Sequence, residues 1–203
     1  MPRKARTVYQ FKVTLLDVRP PVWRRIQVPS TYSFWDLHVA IQDAFGWLDY
    51  HLHEFRIPEP KAGQLARIGI PDDDVFEGDE RIRPGWDNPI SAYFSPDNPS
   101  AEYTYDFGDG WNHTVKLEHV IPGLPGIRYP ICNGGARRCP PEDVGGPLGY
   151  REFLRAIRNP NHQEHDSYLE WVGGAFDPDA FEPTRVRFDN PRKRWKIAFE
   201  NGE

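Results

Sequence analysis

The stretch Ala101–Leu117, AEYTYDFGDGWNHTVKL, decides the fold prediction because apolar and polar residues alternate on both sides of a Gly-Asp-Gly turn. A three-residue loop with Gly110 in the left-handed conformation places Tyr105 opposite His113 and gives the hairpin one apolar face. A two-residue Asp-Gly turn would instead leave both faces mixed in polarity. The predicted apolar face carries Tyr103, Tyr105, Phe107, Trp111, His113, Val115 and Leu117.

Upstream of this hairpin, alternation of side chains predicts two further strands, Val8–Leu16 and Val22–Val28. We expect them to pair antiparallel around residues 17–21, where prolines are tolerated because they need not donate to a ladder. In the second strand, Arg24 shares a face with the valines and the isoleucine. A short strand is also predicted at His53–Ile57.

The clearest helix signals follow the first two strands. Ser33 is a plausible N-cap, Asp36 three residues later completes a variant of the capping box, and Gly46 is a plausible left-handed C-cap. Because His38 lies on the apolar stripe of this helix, we expect it to be a hydrogen-bonded core histidine.

Two more helices are predicted, one beginning at Pro147 and one over His162–Val172. Strands and helices are mixed without βαβ alternation, which favours the α+β class: a mixed or antiparallel sheet packed with about three helices. We expect residues 1–203 to form a single domain that ends in a basic tail over residues 183–203.

Composition limits the class of protein. With 38% hydrophobic and 27% charged residues the chain is globular rather than disordered. A net charge of −5 argues against a surface coated in phosphate contacts. No apolar run reaches the roughly 18–20 residues of a membrane span, so we expect a cytoplasmic protein with no membrane partner. We expect the acidic run over residues 72–80 to be a solvated loop.

Two groups of residues are candidate metal ligands. His51 and His53 point to one face of a strand, and Asp49, at the same period of two, could add a carboxylate. Cys132 and Cys139 could supply two ligands if a histidine joined them, although their spacing is not that of a zinc knuckle. The alternatives are structural: histidines that bond to the backbone, and reduced thiols that shape a loop.

The candidate catalytic residues are Asp106, His113, Glu142 and Asp143. If the hairpin tip and the Pro-Pro-Glu-Asp loop converge, the three carboxylates form an acidic pocket with a histidine from 51 or 53 at its rim. Carboxylates beside a histidine suit divalent-metal hydrolysis or proton transfer. Alternatively, the loop carboxylates cap the next helix, and His113 packs structurally beside Tyr105.

A nucleic-acid interpretation rests on basic residues in two places. Arg24 and Arg25 follow Trp23 on a strand, where only one of the two can face an exposed aromatic surface. The tail residues Arg192, Lys193 and Arg194 could add phosphate contacts. The alternatives are ion pairs with nearby carboxylates and an ordinary solvated terminus.

Several short motifs follow one another along the chain: Val18–Arg25, Asp36–His38, Phe45–Trp47, His51–Phe55, Tyr105–Asp109 with Trp111 and His113, Cys139–Asp143, Gly145–Gly146 and Gly149–Tyr150. Taken in this order, the motifs resemble the plasmid pRiA4b Orf-three-like family, also called insertion-element passenger proteins of the TnpR type, over about residues 7–182. The resemblance implies an uncharacterised family found on plasmids and beside insertion elements. It does not imply resolvase chemistry, because no serine nucleophile with an arginine cluster and helix-turn-helix is visible. Family members often carry a further cysteine where this chain has Val144, which puts any site using that thiol in doubt.

Three functional hypotheses follow. The first is a binding or accessory module associated with mobile DNA, with nucleic acid as its partner. The second is a metal-dependent hydrolase that uses the acidic and histidine pocket with a divalent metal as cofactor. The third is a protein–protein interaction module.

Overall fold

A computed structural model describes residues 7–60, 63–71 and 81–200. The acidic run at 72–80 therefore lies outside the described residues. Within these ranges the chain forms an eight-stranded mixed sheet and four α-helices, which confirms the α+β class. The strands are β1 Thr7–Leu15, β2 Trp23–Pro29, β3 His53–Pro58, β4 Leu65–Gly69, β5 Arg83–Pro84, β6 Ser100–Tyr105, β7 Trp111–Pro122 and β8 Ile131–Ala136. The helices are α1 Phe34–Phe45, α2 Gly146–Arg158, α3 His165–Trp171 and α4 Pro191–Phe199.

The sheet has the order β5-β4-β3-β6-β7-β1-β2-β8, and its pairs are antiparallel except β4 with β5. The predicted pairing of β1 with β2 and the predicted strand β3 are confirmed. One sheet face is apolar and packs against α1, where the ring centroids of Phe34 and Phe55 lie 5.1 Å apart. The opposite face carries polar side chains, such as the pair Arg25–Glu118. No helix among residues 7–60, 63–71 and 81–200 has the length and apolar character needed to cross a membrane.

The central hairpin β6–β7 has the predicted faces but a different register. Tyr105 pairs with Trp111 and Tyr103 with His113, so the predicted register was wrong by two residues. Because side chains alternate with period two, a shift of two leaves each side chain on its face. The loop is longer because Asp106, at φ 54°, leaves the strand and accepts hydrogen bonds from the turn amides. Phe107 accordingly lies in the loop and is exposed rather than on the apolar face.

Helix α1 begins and ends as its sequence predicts. The Ser33 side chain accepts from the Asp36 amide, and the Asp36 carboxylate accepts from the Ser33 amide, which forms the capping box. Gly46 closes the helix at φ 86°, in the left-handed region where glycine has no steric penalty. The two later helices, α2 and α3, occupy the regions predicted for them.

The basic tail predicted over residues 183–203 is folded against the rest of the protein in its described part, residues 183–200. They form a 3-10 turn and helix α4, which packs on α1. Phe199 contacts Trp35 at 5.5 Å between ring centroids, and the Trp35 indole donates to the Pro191 carbonyl. Helix α4 is therefore amphipathic: its aromatic residues pack against the rest of the protein, although its composition is basic.

Candidate metal centre

The hairpin tip and the loop before α2 meet in space, as the pocket hypothesis requires. The Asp109 carboxylate accepts from the Gly145 amide at 3.2 Å. Gly146 adopts φ 67°, and a Cβ atom at that position would collide with the carbonyl oxygen of Asp109. Glycine is therefore needed here both for its conformation and for the close approach of two backbones.

This approach assembles an open cluster, defined as His51, Asp106 and Asp143. The His51 Nε2 atom lies 3.1 Å from Asp143 Oδ1 and 3.6 Å from Asp106 Oδ2. The side chains of His51 and Asp143 are 31% and 67% exposed, and the His51 Nε2 atom itself is buried, so the cluster opens to solvent on the Asp143 side. The three groups lie within metal-sharing distance of one another.

One separation in the open cluster, 3.1 Å between His51 Nε2 and Asp143 Oδ1, equals that of two ligands around one ion, and the 3.6 Å between His51 Nε2 and Asp106 Oδ2 is slightly longer. Two ligand atoms each about 2.1 Å from a metal lie roughly 3.0–3.4 Å apart in octahedral or tetrahedral geometry. Asp106 is also oriented for this role, because its Oδ1 atom accepts from the Gly108 and Asp109 amides and its Oδ2 atom faces His51. A carboxylate held by backbone amides is typical of a supported metal ligand.

Glu142 adjoins the open cluster and holds the surrounding segments together. Its Oε1 atom accepts from the Tyr105 hydroxyl at 2.5 Å, and Oε2 accepts from the Leu48 amide at 3.1 Å. Burial and the neighbouring carboxylate raise the pKa of Tyr105, so this hydroxyl stays protonated and donating. Glu142 is thus placed as a positioning residue between the loop, β6 and the α1–β3 connection.

A second, buried cluster consists of His38, Asp49 and His53. His38 Nε2 lies 2.7 Å from Asp49 Oδ1, and the His38 and His53 rings stack at 3.4 Å between centroids. The sequence had grouped His51 with His53, but the two histidines lie in different clusters. The reason is that His53 is the first residue of β3, whereas His51 lies in the preceding connection.

His38 is a member of this cluster that the sequence does not predict, because its position on the apolar stripe of α1 indicates a hydrogen-bonded core histidine. Its ring nitrogens contact Tyr103 Oη and Asp49 Oδ1, as expected of a core residue. Its stacked neighbour His53 lacks a hydrogen-bond partner on both ring nitrogens within the described residues. Burial lowers the pKa of His53 well below its usual value, so the ring is neutral.

The catalytic expectation for His113 is not supported by its surroundings. Its buried ring packs edge to face against the rings of Phe45 and Trp47, and its Nδ1 atom lies 3.2 Å from the Tyr103 carbonyl. Burial lowers its pKa to about 3. The structural alternative describes this residue, although the carbonyl of Tyr103 replaces Tyr105 as its partner.

The two cysteines belong to neither cluster. Cys132 donates to the Gly134 carbonyl, and Cys139 is buried, with its thiol pKa raised by burial. A protonated, buried thiol is a poor metal ligand, because the thiolate is the binding form. In the described part of the chain, both cysteines are free thiols.

Most of the predicted nucleic-acid residues are engaged in intramolecular contacts. Arg24 is buried and donates to the Ala44, Trp23 and Ala136 carbonyls, so its assignment to an exposed phosphate surface is wrong. Arg25 pairs with Glu118 through two hydrogen bonds.

In α4, Arg194 is 2.8 Å from the Asp43 carboxylate, whereas Arg192 and Lys193 are exposed. Of the three predicted basic residues of the tail, Arg194 is thus paired with Asp43 of α1. The remaining two are accessible to a ligand.

A basic surface that the sequence did not single out lies beside α2. We call it the arginine cleft: a cavity of about 890 Å³ between α2 and the β1–β2 connection. Its apolar members include Leu148 and Leu154, and the buried Tyr150 hydroxyl lacks a partner among the described residues. The basic residues that line it are Arg19, Arg151, Arg155 and Arg158.

Comparisons with known proteins place the chain among relatives. An uncharacterized protein y4hQ of Sinorhizobium fredii is 40% identical over 192 residues, covering 93% of this chain and 94% of that protein. The crystal structure of MM3350, a protein of unknown function from Methanosarcina mazei Go1, matches with a TM-score of 0.84 and 42% identity, covering 91% of this chain and 100% of that one. The family model for the plasmid pRiA4b ORF-3-like protein matches residues 7–185. The chain therefore belongs to the plasmid pRiA4b ORF-3-like family, a family whose relatives here are proteins of unknown function.

Proposed function

We propose that this protein is a divalent-metal-dependent hydrolase whose metal is held by the open cluster. The observation that carries the proposal is the convergence of His51, Asp106 and Asp143 from three separate segments at ligand–ligand distances. One imidazole and two carboxylates suit Mn²⁺ or Zn²⁺ and leave coordination positions for water.

The exposure of the cluster supports a catalytic rather than a purely structural ion. A divalent ion lowers the pKa of bound water to about 7 in favourable sites and so supplies hydroxide near neutral pH. Because the Asp143 side chain is 67% exposed, we expect a substrate to reach that water from the Asp143 side of the cluster. Structural zinc sites, by contrast, are closed by four protein ligands.

Calorimetric titration with Mn²⁺ tests the binding step. We expect the wild type to bind, and His51→Gln and Asp106→Asn to bind at least about 10-fold more weakly. Asn keeps the amide contacts of the turn and tolerates the positive φ at this position, so the fold is preserved. Asp97→Asn, which removes an exposed carboxylate elsewhere, is the matched control and should bind as the wild type does. Equal affinity in all four proteins would exclude the site.

Hydrolysis of bis(p-nitrophenyl) phosphate and p-nitrophenyl acetate tests the chemical step. The Mn²⁺-loaded wild type should hydrolyse at least one of them faster than Asp106→Asn loaded under the same conditions. If loaded wild type and variant react at equal rates with both, the protein binds metal without being this kind of hydrolase.

A nucleic-acid-binding accessory module of mobile DNA is the second candidate, and the arginine cleft is the observation that favours it. Arg151, Arg155 and Arg158 recur at helical spacing along α2, and Arg19 faces them across the cleft. Such a row suits a phosphate backbone. The family name supplies the connection with plasmids.

A salt titration of DNA binding distinguishes this cleft from the terminal helix. Arg151→Ala/Arg155→Ala should weaken binding and lower the slope of log affinity against log salt by about 1–2. Arg192→Ala/Lys193→Ala is the matched double variant and should leave both unchanged. The reverse pattern would place the interface on α4, and affinity independent of salt would exclude a phosphate interface.

A further inference from the structure

We propose that the buried cluster of His38, Asp49 and His53 is a second metal site, separate from the open cluster, and that it takes zinc. The two histidines and the carboxylate present ligand atoms within 4.8 Å of one another. Two imidazoles with one carboxylate form a common zinc donor set.

His53 is the residue that points to a ligand. It is 1% exposed, yet neither ring nitrogen has a hydrogen-bond partner in the part of the chain that the structure describes. Leaving a buried polar group unpaired costs about 1–3 kcal/mol, so buried histidines are nearly always partnered. A metal bond to one nitrogen supplies the missing partner once the His53 ring turns out of its stack on His38, because parallel rings with centroids 3.4 Å apart direct their in-plane lone pairs side by side.

The surroundings of His38 prepare it to bind an ion through Nε2. The Tyr103 hydroxyl lies 2.8 Å from His38 Nδ1 and also accepts from the Gln42 amide nitrogen. In the absence of an ion, the 2.7 Å contact between His38 Nε2 and Asp49 Oδ1 holds a proton; an ion bound to Nε2 would take the place of that proton and leave Nδ1 to donate to the Tyr103 hydroxyl. Such a partner on the far nitrogen fixes the tautomer of metal-binding histidines.

Asp49 is suited to the third position by its backbone and its charge. It adopts φ 63°, a conformation that asparagine and aspartate tolerate better than other non-glycine residues. Its carboxylate is 9% exposed and supplies the negative charge that a buried dication needs. The 2.7 Å contact between Asp49 and His38 must widen by about 0.5 Å when an ion replaces the shared proton.

Zinc content and zinc-dependent unfolding test the proposal. Untagged wild-type protein, expressed with zinc and dialysed, should retain zinc, and added Zn²⁺ should raise its Tm in a concentration-dependent way. His53→Phe should retain no zinc at this site, with affinity reduced at least about 100-fold, because loss even of a ligand's supporting partner costs about 10–100-fold.

Replacement of His53 by phenylalanine distinguishes a histidine that binds zinc from one that only packs in the core. Without any ion, His53→Phe removes two unpaired nitrogens and should be at least as stable as the metal-free wild type. The matched control is His113→Phe, which replaces another buried histidine with an unpartnered Nε2 atom and should keep the zinc response. His51→Gln should also keep it, so failure of the open cluster and failure of this site are distinguishable.

Two results would overturn the proposal: no zinc response in the wild type, or an equal response in His53→Phe. If His53→Phe does not fold, Asp49→Asn replaces it. This variant keeps the shape and the positive φ but removes the charge, and it should bind zinc more weakly. Zinc binding unaffected by Asp49→Asn would equally contradict the site.

Discussion

Arg24 shows how a single residue can carry a function-like signal and a structural role. Its guanidinium donates to three backbone carbonyls and lies 3.7 Å from the centroid of the Phe181 ring. The neighbouring Arg25 points to the opposite face, where its side chain is 32% exposed and forms an ion pair with Glu118. Adjacent arginines on one strand therefore belong to different environments.

This difference predicts unequal costs of substitution. Arg24→Ala should lower the free energy of unfolding by about 3 kcal/mol, because one buried and two partly buried carbonyls lose their donor and a cavity remains. Arg25→Ala removes a partly exposed ion pair and should cost less than about 1 kcal/mol. Urea unfolding of the two variants measures the difference. Similar changes in the free energy of unfolding for the two variants would show that the hydrogen bonds of Arg24 do not stabilise the fold as proposed.

His113 predicts how stability depends on pH. Its folded-state pKa of about 3 lies below the ordinary value of about 6.5, so the unfolded state binds a proton that the folded state excludes. Stability from this group is present above about pH 6.5 and is lost as pH falls from there towards 3. Between about pH 7 and pH 5 the loss is about 2 kcal/mol.

Urea unfolding at both pH values tests this dependence. His113→Phe removes the group, and its unfolding free energy should fall by about 2 kcal/mol less than that of the wild type over the same interval. An identical pH dependence in the two proteins would mean that the buried ring is not the cause.

At the scale of elements, α4 is held to α1 by charge as well as by aromatic packing. Arg194 is 18% exposed and pairs with Asp43, whose carboxylate is 6% exposed. Burial raises the pKa of Asp43, and the Arg194 guanidinium acts against this shift by favouring the charged carboxylate. The helix is therefore part of the folded protein over the described residues.

Removal of this ion pair should destabilise the protein. Arg194→Ala leaves the Asp43 carboxylate buried without its cation and should cost about 2–3 kcal/mol in urea unfolding. Lys196→Ala, which removes an exposed pair with Glu200 on the same helix, should stay within about 0.5 kcal/mol of the wild type. Equal stability of the two variants would indicate that α4 is not docked through Arg194.

The elements also show what local sequence signals can predict. The faces of β6 and β7 followed from alternation, and both ends of α1 followed from Ser33, Asp36 and Gly46. The hairpin register did not, because the carboxylate of Asp106 closes a longer loop than glycine positions alone suggest. Alternation had placed Arg24 on the apolar face, so a signal for its burial was present in the sequence.

At the scale of the whole molecule, the metal clusters depend on contacts between distant segments. From the sequence, the open pocket could be predicted only if the hairpin tip and the Pro-Pro-Glu-Asp loop converge. That convergence has no local signal, because Gly146 and Asp109 are 37 positions apart in the chain. The pairing of His53 with His38 likewise requires α1 to pack on β3. The residue types in the sequence indicate metal ligands, but only the fold shows that His51 and His53 belong to two different clusters.

The most direct test of the open metal centre is anomalous diffraction from crystals soaked in Mn²⁺. We expect a peak about 2.0–2.3 Å from His51 Nε2 and from carboxylate oxygens of Asp106 and Asp143. The peak should be absent from Asp106→Asn crystals soaked in the same way. Wild-type crystals without a manganese peak among these three side chains would contradict the proposed metal centre.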